Sequence, residues 1–328
     1  MGKSYKIGNP KVTVFGGSGF LGRYVVYLFA QNGWRVTVAV RSPNYAGFLK
    51  VYGVEGQISL AEANISNEEE VKLAIKGSDA VVNCVGILEE AGGSQKFDLL
   101  HNKYAARIAQ ISRDMGVRRL IQVSSLGANV ASLSKYSRSK RKGENSIIKN
   151  FPDAVVLRPS IIFGPEDNFF NRFANMCLLS PIIPIVGGVK KFQPIYVMDL
   201  AKAVIKSATD NSIKGTFEIG GPDTLSFNEL ISLMLEIIGR RRLVFNFPYG
   251  IALIGAATLT FLRKASFNLI PSLITIDQVK QLRYDNVVGE GSSGIESFGV
   301  KTTSLQVILP QYLWKYRSSG QFNKKGFD

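Results

Sequence analysis

Short apolar runs and longer stretches of helical spacing alternate through the first half of the chain. Residues 12–15 form a compact apolar run that ends in glycines, and residues 20–29 then place apolar side chains at helical spacing. Residues 35–40 are rich in β-branched types and predict a strand. Residues 68–75 predict a helix with Asn67 as its cap. A buried strand is expected over 79–85, a helix over 103–115, a strand over 120–123, a helix around 140–149 and a strand over 154–157. Continuous apolar strands separated by helices belong to a parallel sheet covered on both faces. The expected class is α/β, a doubly wound parallel sheet over residues 1–160.

Beyond Pro159 the pattern is less regular. Loops rich in Pro and Gly separate helical runs at 199–208 and 227–238. Residues 161–328 are read as a smaller C-terminal α+β lobe, partly interleaved with the sheet domain. Within it Arg240-Arg241-Arg242 precedes twenty uncharged residues, 243–262, and Arg263-Lys264 follows. Pro248 would end a helix there, so the credible helix is 249–262, too short to cross a bilayer. It reads either as a buried helix or as one lying on a membrane surface or a membrane-bound partner, because basic residues bracket it. The region expected to face membrane or partner is about 240–275.

Composition narrows the chemistry. The 328 residues carry 40 Lys and Arg against 25 Asp and Glu, a net charge of +15 that should attract an anionic partner. With Cys84 and Cys177 alone there is no disulfide framework, and Cys84 reads as a small buried hydrophobe. His101 is the only histidine, which excludes multi-His metal sites and favours a structural role for it. No metal site is expected. Residues 1–10 are polar and resemble neither a secretory signal nor an Arg-rich presequence, so the chain is expected to stay in its compartment of synthesis.

Gly16-Gly17-Ser18-Gly19-Phe20-Leu21-Gly22 follows the first strand and opens a helix. Glycines at 16, 19 and 22 let backbone N–H groups approach a pyrophosphate at a helix N-terminus, the signature of an NAD(P)-binding Rossmann fold. The next strand ends in Arg41-Ser42, nineteen residues after Gly22, where an NAD site would carry an acid. An Arg there suits a 2′-phosphate, so NADP(H) is preferred and NAD(H) is the alternative. Val85 and Gly86 end a further strand and should lie near the ribose and pyrophosphate. Ser124-Ser125 ends another, and eleven residues after Ser125 comes Tyr136-Ser137-Arg138-Ser139-Lys140. Tyr-x-x-x-Lys puts both side chains on one helix face, where the ammonium stabilises a phenolate. The expected catalytic set is Ser125, Tyr136 and Lys140, and Ser124 and Pro159 complete the residues expected at the nucleotide.

In this order the GGSGFLG loop, NCVG, VSS, YSRSK, LRPSIIFGP and YVMDL resemble the extended short-chain dehydrogenase/reductase superfamily. That resemblance implies Tyr136 as acid/base, Lys140 on the nicotinamide ribose and Ser125 as substrate orienter. GGSGFLGRYVV, the Arg-ended second strand, RPSIIFGPEDNFFNRFA and KFQPIYVMDLAKAV are more narrowly similar to the NDUFA-nine-type accessory subunit of respiratory complex I and its alphaproteobacterial relatives. This implies tightly held NADPH without assigned turnover, complex I subunits and membrane lipid head groups as partners, and a place on the peripheral arm near the quinone site. The location implied is peripheral: the cytoplasmic face of a bacterial inner membrane, or the matrix side for a processed mitochondrial form. The chain keeps a Ser that members of that family can lose. The alternative is therefore a soluble NADP-dependent reductase or epimerase acting on a nucleotide sugar or an isoprenoid or quinone precursor. A redox-sensing or RNA-binding regulator has only the charge in its support, and no specific nucleic acid partner is expected.

Overall fold

The computed structural model describes residues 8–265, 275–318 and 320. Its centre is a seven-stranded sheet built from β1 (Lys11–Phe15), β2 (Arg35–Val40), β3 (Ile58–Glu62), β4 (Ala80–Asn83), β5 (Arg119–Val123), β6 (Val155–Pro159) and β11 (Gly215–Ile219). The strands are all parallel, in the order β11-β6-β5-β4-β1-β2-β3. Parallel strands are buried on both faces, which is why β1, β2 and β4 read as unbroken apolar runs.

Helix α1 (Phe20–Gln31) and helix α6 (Val197–Thr209) cover one face. Val25, Val26 and Phe29 of α1 and Leu200, Ala201 and Val204 of α6 share a core with Val12, Val14, Val36 and Val38. Helices α2 (Glu68–Ile75), α3 (Tyr104–Asp114) and α4 (Lys135–Asn150) cover the other face, through Val71, Ile75, Ile108 and Ile147 against Phe15 and Val81. The chain runs outward from β1 to β2 and β3, then crosses back to β4 on the other side of β1. This reversal opens a crevice outside the carboxyl ends of β1 and β4, where ligands bind in open α/β sheets.

The sheet layer draws on residues past 160, because α6 and β11 both belong to it. The remaining segments make a second core: α5 (Phe170–Leu179), α7 (Phe227–Ile238) and α10 (Leu305–Leu313) around Phe163, Phe170, Phe192 and Phe227. Short strand pairs frame it: β7 (Ile162–Phe163) with β10 (Ile195–Tyr196), β9 (Lys191–Phe192) with β12 (Leu225–Ser226), and β8 (Ile182–Val186) with β13 (Leu243–Phe247). Helix α8 (Tyr249–Ala265) and helix α9 (Ile276–Gln281) pack on each other through Ala256, Val279 and Val186.

Among the described residues no helix is long and apolar enough to cross a membrane. Residues 266–274 of the segment expected to face membrane or partner lie outside the described residues. The sequence pattern had no strand at β3, an edge strand with a polar outer half, or at β11. Helix α4 begins at Lys135, five residues before the span around 140–149 expected to be helical, so Tyr136 stands in its first turn.

Candidate functional site

The glycine loop joins β1 to α1 with almost no spare room. Gly16 has φ +73°, and a Cβ there would lie 3.2 Å from the Val85 nitrogen. A Cβ on Gly17 would reach 2.7 Å from Val38 Cγ1, and one on Gly22 would reach 2.1 Å from the Gly16 carbonyl oxygen. The Gly19 N–H donates to that same carbonyl at 3.0 Å and closes the turn. Gly19 is the N-cap of α1, no side chain caps this terminus, and its first turn holds no acid. The N–H groups of Phe20, Leu21 and Gly22 thus form a positive helix end beside the crevice, with Ser18 in the turn before it. This cradle fits a dinucleotide pyrophosphate: added bulk would strike backbone at Gly16 and Gly22, and among the described residues no side chain caps the helix end.

Beside it, β4 continues into Cys84-Val85-Gly86. The Cys84 N–H donates to the Phe15 carbonyl at 3.0 Å, and the Val85 N–H to Asn83 Oδ1 at 3.1 Å. Burial pushes the Cys84 thiol up to about 12. A Cβ on Gly86 would lie 3.3 Å from Lys140 Nζ, so this glycine brings the β4 end against the Tyr-Lys helix.

Helix α4 carries Tyr136 and Lys140 on one buried face. Lys140 Nζ lies 5.8 Å from the Tyr136 ring centroid and donates to the Val123 carbonyl at 3.3 Å. Among the described residues it has no carboxylate within ion-pairing distance. A buried ammonium with one carbonyl partner has donors left for ligand hydroxyls. Ser125 Oγ is buried and has no hydrogen-bond partner among the described residues. An orphaned hydroxyl two residues past the carbonyl that Lys140 holds fits a carbonyl or hydroxyl ligand.

The neighbouring serine behaves differently. Ser124 Oγ donates to Glu144 Oε1 at 2.6 Å, and Arg158 clamps the same carboxylate through Nε at 2.9 Å and Nη2 at 2.6 Å. This network ties β5, α4 and β6 together, so Ser124 serves the frame of the site through its side chain. Pro159 ends β6, and its carbonyl accepts the Leu126 N–H at 2.9 Å, which holds the loop that follows Ser125.

His101 sits in a π-helical turn, Asp98–Lys103, ahead of α3. The Ile87 N–H donates to its Nε2 at 3.1 Å, which leaves the proton on Nδ1, 2.9 Å from Ser139 Oγ. Ser139 in turn donates to the Tyr136 carbonyl at 2.7 Å. The ring stacks on Phe97 and meets Tyr136 edge-on. Burial, and then the Lys140 charge, push its pKa down to about 2, so it is neutral and props Tyr136 from behind.

Arg41 and Ser42 stand exposed at the end of β2, on the same edge as the glycine loop. Among the described residues Arg41 makes no ion pair. A second cation, which the motif reading passed over, lies close to the loop. The Arg23 guanidinium donates to the Ser18 carbonyl at 3.4 Å, covers the Phe48 ring at 5.1 Å and pairs with Glu166 at 3.6 Å. Glu166, from the smaller lobe, also accepts from Tyr24 Oη at 2.7 Å, so the lobe reaches across to α1. Arg23 follows Gly22 directly, which was the available signal for it. Glu144 and Asp277 carry no local signal because the groups they hold at the site, Ser124 and the first turn of α4, are distant in sequence.

Residues 12–220 match the NAD dependent epimerase/dehydratase family. The chain is 34% identical over 312 residues to the mouse mitochondrial NADH dehydrogenase [ubiquinone] 1 alpha subcomplex subunit 9, covering 93% of this chain and 80% of that protein. It is 31% identical to the Arabidopsis thaliana subunit of the same name, covering 94% and 78%. A Caulobacter vibrioides ceramide reductase is 27% identical, covering 95% and 96%. Among solved structures, that of gox2253 superposes with a TM-score of 0.71 at 16% identity, covering 95% of this chain and 99% of that one. The chain belongs to the NAD dependent epimerase/dehydratase family and, within it, groups with subunit 9 of the NADH dehydrogenase 1 alpha subcomplex.

Proposed function

We propose that this protein holds a nicotinamide dinucleotide, NADP(H) ahead of NAD(H), as an accessory subunit of respiratory NADH:quinone oxidoreductase (complex I). The observation that carries the nucleotide half is the acid-free, uncapped start of α1 above a loop where a Cβ would strike backbone. Arg41 and Ser42 in place of an acid at the β2 end favour the 2′-phosphate form. Kinship over more than nine-tenths of the chain supports the complex I half. A bound nucleotide then stabilises the folded subunit by mass action.

The docking side of the reading rests on one surface. Leu243, Phe245 and Phe247 of β13 are exposed beside Ile182 of β8, and Ile251 and Ile254 of α8 continue the apolar face. Arg241 is exposed at its edge, next to Arg240 and Arg242. Apolar side chains rimmed by cations suit the surface of an anionic membrane beside the complex. The test is purification from native membranes under mild detergent, with identification of the released nucleotide and of co-purifying proteins. NADPH together with complex I subunits is expected; recovery free of both would overturn the reading.

Ser125 Oγ favours a second reading, a soluble NADP-dependent reductase or epimerase, and the Caulobacter relative leans it toward reduction. When bound, the nicotinamide supplies or accepts hydride. Tyr136 would pass a proton to or from the substrate oxygen, Ser125 Oγ would hold that oxygen, and Lys140 would steady the phenolate. Tyr136→Phe should then abolish turnover of a carbonyl substrate while nucleotide stays bound; unchanged turnover would eliminate this version.

A further inference from the structure

The helix that carries Tyr136 and Lys140 is capped from the other lobe. Asp277 of α9 accepts the Lys135 N–H on Oδ1 at 2.6 Å, and the Tyr136 N–H at 3.1 Å and Ser134 Oγ–H at 2.7 Å on Oδ2. Ser134 Oγ accepts the Ser137 N–H at 3.2 Å. The first three amides of α4 are therefore satisfied, two of them by a carboxylate that favours a helix N-terminus. One of those two amides is that of Tyr136 itself. Helix α9 is anchored to α8: Val279 is fully buried against Ala256, and the Arg283 guanidinium lies 4.3 Å from the centre of the Tyr249 ring. A short path thus runs from α8 through α9 and Asp277 to the Tyr136 turn.

We propose that Asp277 is a positioning residue for the nucleotide site, and that through it the α8–α9 unit and the bound nucleotide stabilise each other. The inference rests on the nucleotide reading above. With Asp277 seated, Tyr136 and Lys140 are presented to the crevice; with α9 displaced, the first turn of α4 loses its charged cap and frays. By linkage, a ligand that favours the seated state must tighten α9 by the same factor that α9 tightens the ligand.

The test uses the full chain and NADPH as probe, with wild type, Asp277→Ala, Asp277→Asn and Ser226→Ala. Ser226 caps α7, remote from the crevice, so its loss reports a cap removed for structure alone. Asp277→Ala should weaken NADPH about tenfold, the scale of one lost charged cap. Asp277→Asn, which keeps an acceptor, should recover most of it, and Ser226→Ala should bind as wild type. In wild type, NADPH should slow hydrogen exchange across residues 276–282, a readout that needs no variant to fold. Wild type that binds no NADPH overturns the nucleotide reading and this inference with it. NADPH binding that is equal in wild type, Asp277→Ala and Ser226→Ala, or exchange at 276–282 indifferent to NADPH, overturns this inference alone.

Discussion

Replacing Gly22 with alanine asks one methyl group to enter the glycine loop. Its carbon would sit 2.1 Å from the Gly16 carbonyl oxygen and 2.7 Å from Gly17 Cα. Both obstacles are backbone, so no side chain can swing aside. A normal contact of about 3.3 Å requires the loop and the first turn of α1 to part by roughly 1 Å. Such overpacking costs about 1–3 kcal/mol. Because Gly22 lies inside α1, the better helix propensity of alanine offsets about 1 kcal/mol of that. The net should be a loss of about 0–2 kcal/mol, a fall in Tm of at most a few degrees for a chain of this size. The effect on NADPH should be larger, because a shift of about 1 Å takes N–H donors out of range of a pyrophosphate. Losing two hydrogen bonds to a charged group, about 1.5–3 kcal/mol each, weakens binding by roughly a hundredfold or more. Gly255 provides the same substitution with the opposite sign. It lies within α8, and an added Cβ there meets nothing within 4 Å. Gly255→Ala should therefore stabilise by about 0.5–1 kcal/mol and leave NADPH binding unchanged. Thermal unfolding with and without NADPH, together with a nicotinamide fluorescence titration, reads both. Gly22→Ala with wild-type Tm and affinity, or a shift of the same sign in both variants, would refute the packing argument.

Three further outcomes are expected. Ser125→Ala removes a buried hydroxyl without a partner, so unfolding in denaturant should show unchanged or higher stability, by up to about 1 kcal/mol; a clear loss would show that Oγ is bonded within the fold. His101 is held neutral down to about pH 2, whereas an unfolded histidine takes a proton below about pH 6.5. Its stabilising contribution is therefore complete above about pH 6.5 and is lost as pH falls, by up to about 1.4 kcal/mol per pH unit. Denaturant unfolding between pH 7.5 and pH 5, as sampled in steps of roughly half a unit, should fall less steeply for His101→Gln than for wild type, and parallel curves would contradict the assignment. Arg41→Ala should weaken NADPH about tenfold and leave NADH unchanged, measured by parallel titrations, and an equal effect on both would remove Arg41 from the 2′-phosphate site.

What the sequence disclosed follows from the range over which each feature is made. The first strand, the glycine loop and the start of α1 are contiguous, and the turn that joins them closes within itself, Gly19 N–H on the Gly16 carbonyl, so motif and structure agree there. Strand β3 escaped because an edge strand buries only part of itself: Ser59 and Glu62 dilute its apolar pattern. The Tyr-x-x-x-Lys spacing puts Tyr136 and Lys140 on one helix, but the cap of that helix escaped because Asp277 lies 141 residues beyond Tyr136. Ser124 and Ser125 show the limit most clearly. One motif names both, yet the first is bonded to Glu144 and the second has an unpartnered Oγ. Adjacent residues along an extended strand end point opposite ways, and only the fold shows which side holds the crevice.

The electrostatics of the helix starts sharpen the case for an anion at α1. Helix α2 opens with an Asn67 cap and Glu68, Glu69 and Glu70 in its first turn. Helix α4 receives Asp277, helix α5 has Asp167 accepting the Asn171 N–H, helix α7 has Ser226 and Glu229, and helix α10 has Asp223 accepting the Leu305 N–H. Carboxylates are the scarcer charge in this chain, 25 against 40 cations. Even so, one stands at the start of each of these five helices, at the positive end of the dipole, and at α4, α5 and α10 it accepts an orphan amide. Helix α1 has neither acid nor side-chain cap, although Glu166 is near enough to bind Arg23 and Tyr24. Glu166 engages those two side chains and leaves the amides of Phe20, Leu21 and Gly22 facing the crevice. An acid placed among those amides would complete α1 as it completes those five, and would repel a pyrophosphate. The +15 charge of the whole chain fits many anionic partners; the open start of α1 narrows the fit to the pyrophosphate of a dinucleotide, and Arg41 at the end of β2 is what the proposed 2′-phosphate form rests on.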